Sequence, residues 1–283
     1  MRRLIACLAA LLALSPLAAS AAPDQAPAGY TLGVAPQFDQ RKLFATWKPV
    51  VDALSEATGE PFRFRSAGSV PEFEQAVAKG SYDFIYVNPY HLYRERLRQG
   101  YIPLVRDVTP LRGVVAVRND SAIREAADLD GKSLAVPSLN AIGASMLIQA
   151  ELERVHGVRV KVVNAKSHSS AYLYAINRLS DAAGGVEKTL AEQEPAIRNA
   201  LRVVYRTSDF PSHPIAAHPR IPEALRERVR RILLKLSADP AGRAMLHEIP
   251  MSRAVPASFK DYEAFRALDL DAYWTEPGAA AKP

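Results

Sequence analysis

The feature that most restricts the fold of this chain is an alternation of short apolar runs with segments of helical periodicity. From residue 31 onward the apolar runs are short and bounded by glycine or proline, and between them apolar residues recur at helical spacing. In the first such segment, Leu43, Trp47 and Leu54 share one helical face. This β-α-β order predicts parallel strands covered by helices on both faces. We therefore expect an α/β fold whose ligand sites lie at the carboxyl ends of strands, beside helix starts.

The alternation runs in two series, which predicts two lobes. The expected strands are 31–35, 62–65, 82–87, 101–105, 111–118, 133–136, 158–163, 181–185 and 203–207. The expected helices are 43–54, 71–78, 91–99, 121–128, 141–155, 169–179, 190–199 and 225–236. Chain crossings near residues 112 and 212 separate the series, and 283 residues suffice for two domains. We predict a first lobe from 23–112 and 212–283, a second lobe from 113–211, and a cleft between them.

The first 22 residues have the pattern of a secretory signal peptide. Arg2 and Arg3 give a positive start, residues 4–17 are apolar, and small residues surround a cleavage site near Ala21–Ala22. The apolar run is shorter than the ~20 residues of a membrane-spanning helix, so we expect a periplasmic protein. Cys7, the single cysteine, follows too few apolar residues for a lipoprotein cleavage site. Its removal with the leader leaves no disulfide and no thiol chemistry.

Composition and charge exclude several classes of protein. Hydrophobic residues make up 48% of the chain and charged residues 23%, which is typical of a folded globular protein. The formal net charge of +6 falls to +4 without Arg2 and Arg3, and the chain has no dense basic tail, so no nucleic-acid partner is predicted. The sequence also has no zinc-protease, lipase-elbow, Walker or dinucleotide motif. We therefore predict that the protein is not an enzyme and holds no metal or cofactor.

Short motifs spread along the chain occur in a recognisable order. They are LGVAPQ at 32–37, WKP at 47–49, LSEATG at 54–59, GSYD at 80–83, YVNP at 86–89, LDGK at 129–132, VP at 136–137, SHSS at 167–170, DAA at 181–183, PSHP at 211–214 and RIPE at 220–223. In this order they resemble the periplasmic binding proteins of the phosphate, phosphite and phosphonate importer family, a branch of the type 2 periplasmic binding fold. The resemblance implies two α/β lobes, each a mostly parallel sheet flanked by helices, joined by two hinge crossings. It also implies capture of a small anionic ligand for the permease of an ABC importer, and we expect a monomer.

The second lobe supplies the expected anion site. Residues 137–145 form a turn between a strand and a helix, where the family has a hydroxyl-rich anion loop and where helix N–H groups favour negative charge. In this chain residues without hydroxyls occupy 140–142, so either backbone N–H groups make more of the contacts to the anion or the ligand is not a phosphonate. The family's anion-contacting histidine matches His168, so we expect ligand affinity to depend on pH between about 5 and 8. The candidate residues of this lobe are Ser138, Asn140, Ala141, Gly143, His168 and Ser169.

The first lobe and the second crossing contribute further candidates. Gln37, Phe38 and Asp39 follow the first predicted strand, and Tyr86 and Asn88 follow the third. Tyr86 resembles the aromatic pocket wall of the family, and its alternative role is packing in the core. His213 lies where the family places a carboxylate for amine-bearing phosphonates, while Glu187 is an acid that could still contact an amine. The departures at 140–142 and 213 favour a small oxyanion or another acid over an aminoalkylphosphonate.

Structural roles and a second function stay open from the sequence. Asn140 and Ser169 suit helix N-caps, Glu187 suits an acidic helix start, and His168 could be an exposed loop residue. A periplasmic sensor module that signals to a membrane histidine kinase would need the same closing cleft as a receptor for an importer. The sequence does not separate these two functions.

Overall fold

The computed structural model describes residues 29–37, 40–249 and 251–276, in which the strands form two sheets. The strands are β1 (Tyr30–Val34), β2 (Phe62–Ser66), β3 (Phe84–Tyr86), β4 (Ile102–Asp107), β5 (Gly113–Arg118), β6 (Ser133–Val136), β7 (Lys161–Asn164), β8 (Ala182–Val186), β9 (Leu201–Arg206), β10 (Pro214–Ala217) and β11 (Ala254–Pro256). The α-helices are α1 (Gln40–Thr58), α2 (Val70–Ala78), α3 (Pro89–Glu95), α4 (Leu147–His156), α5 (His168–Ile176), α6 (Glu187–Ala191), α7 (Pro195–Ala200), α8 (Glu223–Ala238) and α9 (Pro240–Glu248). The expected signal peptide lies outside the described residues.

Both sheets are mixed: four strands of each run in one direction, and an inserted strand that runs against them pairs antiparallel with both of its neighbours. The first sheet has the order β11-β4-β10-β3-β1-β2, in which β10 and β11 run against the other strands. The second has the order β7-β6-β8-β5-β9, in which β5 runs against the others. The first chain crossing leads into β5 and the second leads into β10. Each crossing therefore delivers the chain into the interior of a sheet, where its strand pairs on both sides.

Apolar helix faces hold the layers together. Leu43, Trp47 and Leu54 of α1 are almost fully buried in one core with residues of the first sheet. Ile148 and Leu152 of α4 pack in the same way with residues of the second sheet. Each large side chain buried in this manner contributes about 1.5–3 kcal/mol. Among the described residues, no helix combines the length and the apolar character that a membrane crossing requires.

The helix predicted over 121–128 is wrong, because this stretch forms a 3-10 turn at Ala126–Leu129 instead. The Asp128 carboxylate accepts hydrogen bonds from the N–H groups of Arg124 at 2.7 Å and Glu125 at 3.2 Å. Short polar side chains compete in this way for backbone groups that a helix would otherwise use. The segment therefore stays irregular before the turn.

Two prolines begin helices that the sequence patterns did not separate or predict. The single helix expected over 190–199 is divided, since α6 ends at Ala191 and α7 begins at Pro195. Proline lacks an N–H group and suits the first turn of a helix. Helix α9 was not predicted, although Asp239 before Pro240 is a recognisable start signal and its carboxylate accepts the Gly242 N–H at 2.8 Å.

The segment 259–276 connects the two halves of the molecule in addition to the crossings. Its two 3-10 turns, Phe259–Leu268 and Leu270–Tyr273, pack against α3 and α4 respectively. The Tyr273 hydroxyl donates to Glu153 of α4 at 2.7 Å. Because α3 follows the first sheet and α4 covers the second, this segment contacts both halves of the molecule.

Candidate functional site

Three helical segments begin at one edge of the second sheet. Strands β6, β7 and β8 run parallel, so their carboxyl ends lie at the same edge. A π turn at Ile142–Met146, α5 and α6 each start after one of these ends. The first N–H groups of a helix have no partner inside it, and the helix dipole adds partial positive charge at that end. This edge of the sheet therefore favours a negatively charged ligand.

Glycines bring the π turn against the sheet. A Cβ atom at Gly184 would stand 2.2 Å from the carbonyl oxygen of Ala144, and one at Gly113 would stand 2.2 Å from that of Gly143. Such distances are far below van der Waals contact, so side chains at these two positions would push the turn away. Glycine at 184, in the predicted strand 181–185, therefore permits the close approach of the turn's backbone.

Asn140 does not cap the helix that follows it. Its Nδ2 donates to Glu74 Oε2 at 3.2 Å and to the Thr275 carbonyl at 2.8 Å. Its Oδ1 accepts the Thr275 N–H at 2.8 Å, and its carbonyl accepts from Asn88 Nδ2 at 2.7 Å. The N-cap position belongs to Ala141, which has no capping side-chain bond. The Asn140 amide thus joins the anion turn to α2 and to the C-terminal segment.

Glu74 is the buried acid of this junction. Its side chain lies on the inner face of α2, and the residue is 3% exposed. Burial raises the pKa of Glu74 to about 7, while the hydrogen bond from Asn140 acts in the opposite direction. Near neutral pH the junction therefore contains a carboxyl group that is partly protonated.

The start of α5 differs in detail from the sequence-based alternatives. Ser167, not Ser169, is the N-cap, and its Oγ accepts the Ser170 N–H at 3.1 Å. Ser169 is exposed and donates to Gln193 at 2.8 Å. His168 is the first residue of the helix and is partly buried, so it is not an exposed loop residue.

His168 faces a hydroxyl of the neighbouring helix α6. Its Nδ1 lies 3.2 Å from Thr189 Oγ1. Burial lowers the pKa of His168 to about 4, since a buried imidazolium loses its hydration. The ring is therefore neutral near pH 7, and it would gain charge there only if a bound anion raised its pKa.

The second crossing brings an aromatic stack to the same region. The rings of His213 and Tyr86 stack at 5.6 Å with an angle of 24°, and Tyr86 packs on Trp47 at 4.9 Å. Tyr86 is 2% exposed, so it is a core residue with one face covered by His213. Burial and, to a smaller extent, the nearby His168 lower the pKa of His213 to about 4. His213 of the second crossing therefore lies near enough to His168 for a charge on one ring to affect the other.

The Glu187 carboxylate forms ion pairs with arginines of the crossing region. Its two carboxylate oxygens each lie 3.0 Å from a guanidinium nitrogen, one of Arg112 and one of Arg206. Arg112 also bonds Asp209 of the second crossing at 2.7 Å. Glu187 is the first residue of α6, which agrees with its predicted structural role as an acidic helix start. An amine on a ligand would have to compete with two guanidinium groups for this carboxylate.

The remaining predicted residues lie around this region or outside the described residues. Asn88 caps α3, where its Oδ1 accepts the Tyr90 N–H at 2.9 Å, and its amide reaches the anion turn. Gln37 is exposed after β1. The carbonyl of Ser138 accepts the Ala141 N–H at 3.1 Å, which forms the turn itself. The predicted ligand contacts Phe38 and Asp39 fall outside the described residues.

Sequence reasoning missed several residues that organise the site. Glu74 lies beside Phe73 on the inner face of α2, and an acid in that apolar pattern was a usable signal. Tyr172 is four positions after His168, so helical spacing already places the two on one face. No local pattern identified Thr275, because its partner Asn140 is 135 positions away.

A surface cavity of about 380 Å³ lies beside α3 and is a poorer candidate for anion binding. Arg94 at its wall pairs with Asp271 and Glu276, and Arg96 covers the Tyr93 ring at 3.6 Å. These cations already have partners. Within 29–37, 40–249 and 251–276, no group of three or more His, Cys, Asp or Glu side chains is arranged to hold a metal ion.

The buried ionisable groups predict how stability changes with pH. Burial lowers the pKa of His91 to about 3 and those of His168 and His213 to about 4, so the unfolded chain binds more protons than the folded one below pH 6.5. Their stabilising contribution is complete above pH 6.5 and is lost towards pH 4. Glu74 has the opposite sign, because its raised pKa stabilises the fold below pH 4.5 and this contribution disappears as pH rises through 7.

Urea unfolding between pH 4.5 and 8 tests these opposing contributions. We expect His213→Gln to reduce the loss of stability on acidification, by up to on the order of 3 kcal/mol. Glu74→Gln should make the acid loss steeper, since it removes the group that favours low pH. The exposed His247 provides the control, and His247→Gln should leave the profile unchanged. Equal profiles for all variants would contradict the assignment of these groups.

Comparisons with known proteins place this geometry in a family. Residues 32–262 match the family model described as ABC transporter, phosphonate, periplasmic substrate-binding protein. A search of curated proteins found no match.

Three solved structures share the fold of the chain. A binding protein component of an ABC phosphonate transporter from Pseudomonas aeruginosa has a TM-score of 0.72 and 14% identity, over 89% of this chain and 90% of that chain. PhnD1 from Prochlorococcus marinus in complex with methylphosphonate has a TM-score of 0.74 and 14% identity, over 86% and 97%. A protein from Xanthomonas citri bound to ATP has a TM-score of 0.72 and 15% identity, over 86% and 97%.

The family match covers both sheets, both crossings and the edge where the helices begin. The likeness in fold confirms the expected type 2 periplasmic binding architecture with its two sheets. Members of such a family bind solutes in the periplasm for ABC transporters. The chain belongs to the family of periplasmic substrate-binding proteins of phosphonate ABC transporters.

Proposed function

We propose that this protein captures a small phosphorus oxyanion, a phosphonate, phosphate or phosphite, and delivers it as a monomer to the permease of an ABC importer. The first lobe comprises 23–112 and 212–283, and the second comprises 113–211. Closure is a hinge motion at the two crossings, as in other two-lobed binding proteins. The signal peptide over 1–22 directs the chain to the periplasm.

The observation that carries this proposal is the convergence of two helix starts with two histidines. The π turn begins beside Gly143, and α5 begins with His168. Both adjoin the end of β8, because Val186 Cγ2 stands 3.1 Å from where a Gly143 Cβ would be and Val186 is bonded to Thr189, the partner of His168. His213 approaches from the crossing. N–H groups at helix starts bind oxyanions without requiring a large positive patch.

The chemistry at the crossing supports a ligand without an amine. An ammonium group needs a carboxylate or another acceptor partner, and the residue stacked on Tyr86 is the neutral His213. Glu187, the other acid considered for an amine, is paired with Arg112 and Arg206. Among the proteins that share this fold, PhnD1 binds methylphosphonate, a small oxyanion of this kind.

Thermal unfolding with a panel of anions tests the proposal. The panel contains methylphosphonate, phosphate, phosphite, 2-aminoethylphosphonate, sulfate and acetate. A ligand at 100 times its Kd adds about 2.7 kcal/mol to the stability, which raises the midpoint by roughly 5–10 °C for a chain of this size. We expect the largest shifts from the phosphorus oxyanions without an amine.

Two histidine variants complete that experiment. His168→Gln is expected to reduce affinity for the best phosphorus oxyanion at least about tenfold, since it removes a contact to a charged group worth about 1.5–3 kcal/mol. His247→Gln, at an exposed position in α9, should bind like the wild type. If no phosphorus oxyanion shifts the midpoint, the proposed function is wrong.

A further inference from the structure

The hydroxyl of Thr189 is the centre of a hydrogen-bond group at His168. Thr189 Oγ1 lies 2.8 Å from the Val186 carbonyl oxygen, 3.2 Å from the Val186 nitrogen, 3.0 Å from Tyr172 Oη and 3.2 Å from His168 Nδ1. Thr189 is the third residue of α6, so the helix fixes its position relative to the end of β8. A single hydroxyl thus meets four polar atoms.

The number of hydrogens on each group limits which atoms can donate in these bonds. A threonine hydroxyl has one hydrogen to donate, whereas a carbonyl oxygen can only accept. The Val186 carbonyl is the nearest of the four atoms, so it receives the Thr189 hydrogen. Thr189 Oγ1 then accepts from its other partners, which stand at the longer distances of 3.0–3.2 Å expected when several donors share two lone pairs. With the Thr189 hydrogen on the Val186 carbonyl, His168 Nδ1 can bond Thr189 only as a donor, which requires a hydrogen on Nδ1.

The surroundings of His168 keep this arrangement in place. A Cβ atom at Gly185 would stand 2.0 Å from Tyr172 Oη, so glycine at 185 is what lets the phenol reach Thr189. Burial raises the pKa of Tyr172 to about 12, which keeps its hydroxyl protonated and able to donate. Of the other ionisable groups on elements packed here, His213 is neutral at pH 7, while Glu187 and Lys188 pair with other residues.

An imidazole with its hydrogen on Nδ1 presents a lone pair at Nε2. Within the described residues, His168 Nε2 has no protein partner, whereas Nδ1 is bonded to Thr189. We propose that Thr189 is a positioning residue that holds His168 in this tautomer, so that the site selects singly protonated oxyanions. This inference rests on the proposed function, because it assumes that the oxyanion lies at His168.

The preference among oxyanions depends on whether the ligand can supply the hydrogen for a bond to His168 Nε2. A singly protonated phosphonate or phosphate can donate its O–H hydrogen to Nε2. Sulfate and alkylsulfonates carry no such hydrogen near neutral pH, and they leave two acceptors facing each other unless His168 becomes protonated. Burial opposes that protonation, as the lowered pKa of His168 shows. The site therefore favours phosphorus over sulfur oxyanions.

Nitrogen-15 NMR of the histidine rings tests the tautomer directly. The protein is labelled at its imidazole nitrogens without added ligand at pH 7, and His168→Gln identifies the signals of residue 168. We expect a neutral ring with its hydrogen on Nδ1. A ring with its hydrogen on Nε2, or a charged ring, would overturn the proposal whether or not any ligand binds.

Titration calorimetry with methylphosphonate and sulfate tests the selection. For the wild type we expect methylphosphonate affinity to fall about tenfold per pH unit above the second pKa of the ligand, and sulfate to bind at least about a hundredfold more weakly at pH 7. Thr189→Val should flatten this pH profile and reduce the preference for phosphorus, while Thr189→Ser should restore both. Thr58→Val removes another helical hydroxyl that donates to a carbonyl, that of Leu54, and should leave the profile unchanged.

The outcomes separate the two proposals. Sulfate binding as tight as methylphosphonate, with a flat pH profile, would refute the role of Thr189 and leave oxyanion capture standing. Binding of neither anion, nor of any other phosphorus oxyanion, would refute the proposed function and the selection with it. The NMR result on the wild type still decides the tautomer if Thr189→Val fails to fold.

Discussion

Replacing Gly184 with alanine is expected to destabilise the protein by about 1–3 kcal/mol and to weaken oxyanion binding at least about tenfold. The added Cβ would stand 2.2 Å from the Ala144 carbonyl oxygen, which belongs to the backbone of the π turn. A backbone group cannot rotate away as a flexible side chain can, so the whole turn must move off the sheet. The N–H groups beside Gly143 would move with it, and these are the proposed anion donors.

Urea unfolding and calorimetry with methylphosphonate measure these two effects. Gly68→Ala is the matched control, because Gly68 is exposed and its Cβ would meet the mobile carboxylate of Glu72 at 3.0 Å. We expect that control to change the stability by less than about 0.5 kcal/mol. A Gly184→Ala variant as stable as the wild type would show that the turn does not depend on contact with β8.

Replacing Asn140 with alanine is expected to cost about 3 kcal/mol of stability. The change leaves the buried Glu74 carboxyl group and both main-chain groups of Thr275 without the amide that bonds them. The buried Glu74 carboxyl group without a partner costs about 1–3 kcal/mol, and the half-buried Thr275 groups, which water can partly reach, cost less each. Asn119→Ala provides the control, since the Asn119 amide is exposed and bonds one carbonyl, that of Asn199.

Asn140→Asp gives a pH signature that alanine lacks. It places a second carboxyl group where the amide lies 3.2 Å from Glu74 Oε2 and 2.8 Å from the Thr275 carbonyl. At pH 8 both acids would carry charge and repel, whereas at pH 5 one shared proton relieves the repulsion. We expect a larger loss of stability at pH 8 than at pH 5, measured by urea unfolding. Equal losses at both pH values would show that Glu74 and Asn140 are not in contact.

Helix and strand positions could be predicted wherever the apolar pattern is local. The face of α1 and the apolar runs at β1 and β6 are visible in the sequence, because periodicity reflects which side of an element is buried. The prediction over 121–128 failed for a local reason too, since Asp128 takes backbone donors from a helix of ordinary pattern. The positions of β5 and β10 inside their sheets could not be predicted from local sequence. Which strands pair with them depends on how segments far apart in the chain pack together.

The candidate site shows the same division. Family resemblance placed His168 and His213 in the site, and the structure sets them close enough for one to lower the pKa of the other. The sequence around Asn140 allowed two roles for this residue, a helix N-cap and a ligand contact. Its actual partners, Glu74 and Thr275, are 66 and 135 positions away.

The sequence by itself determined an α/β architecture in two series and a candidate anion site at strand ends, because the periodicity of burial and the dipoles of helix starts are properties of short segments. Only the tertiary structure decided which hydroxyl faces His168, which acid meets Asn140 and which glycines the π turn touches. These contacts join residues of different elements. Their hydrogen-bond directions and their pKa values depend on burial, which exists only once the two halves have packed.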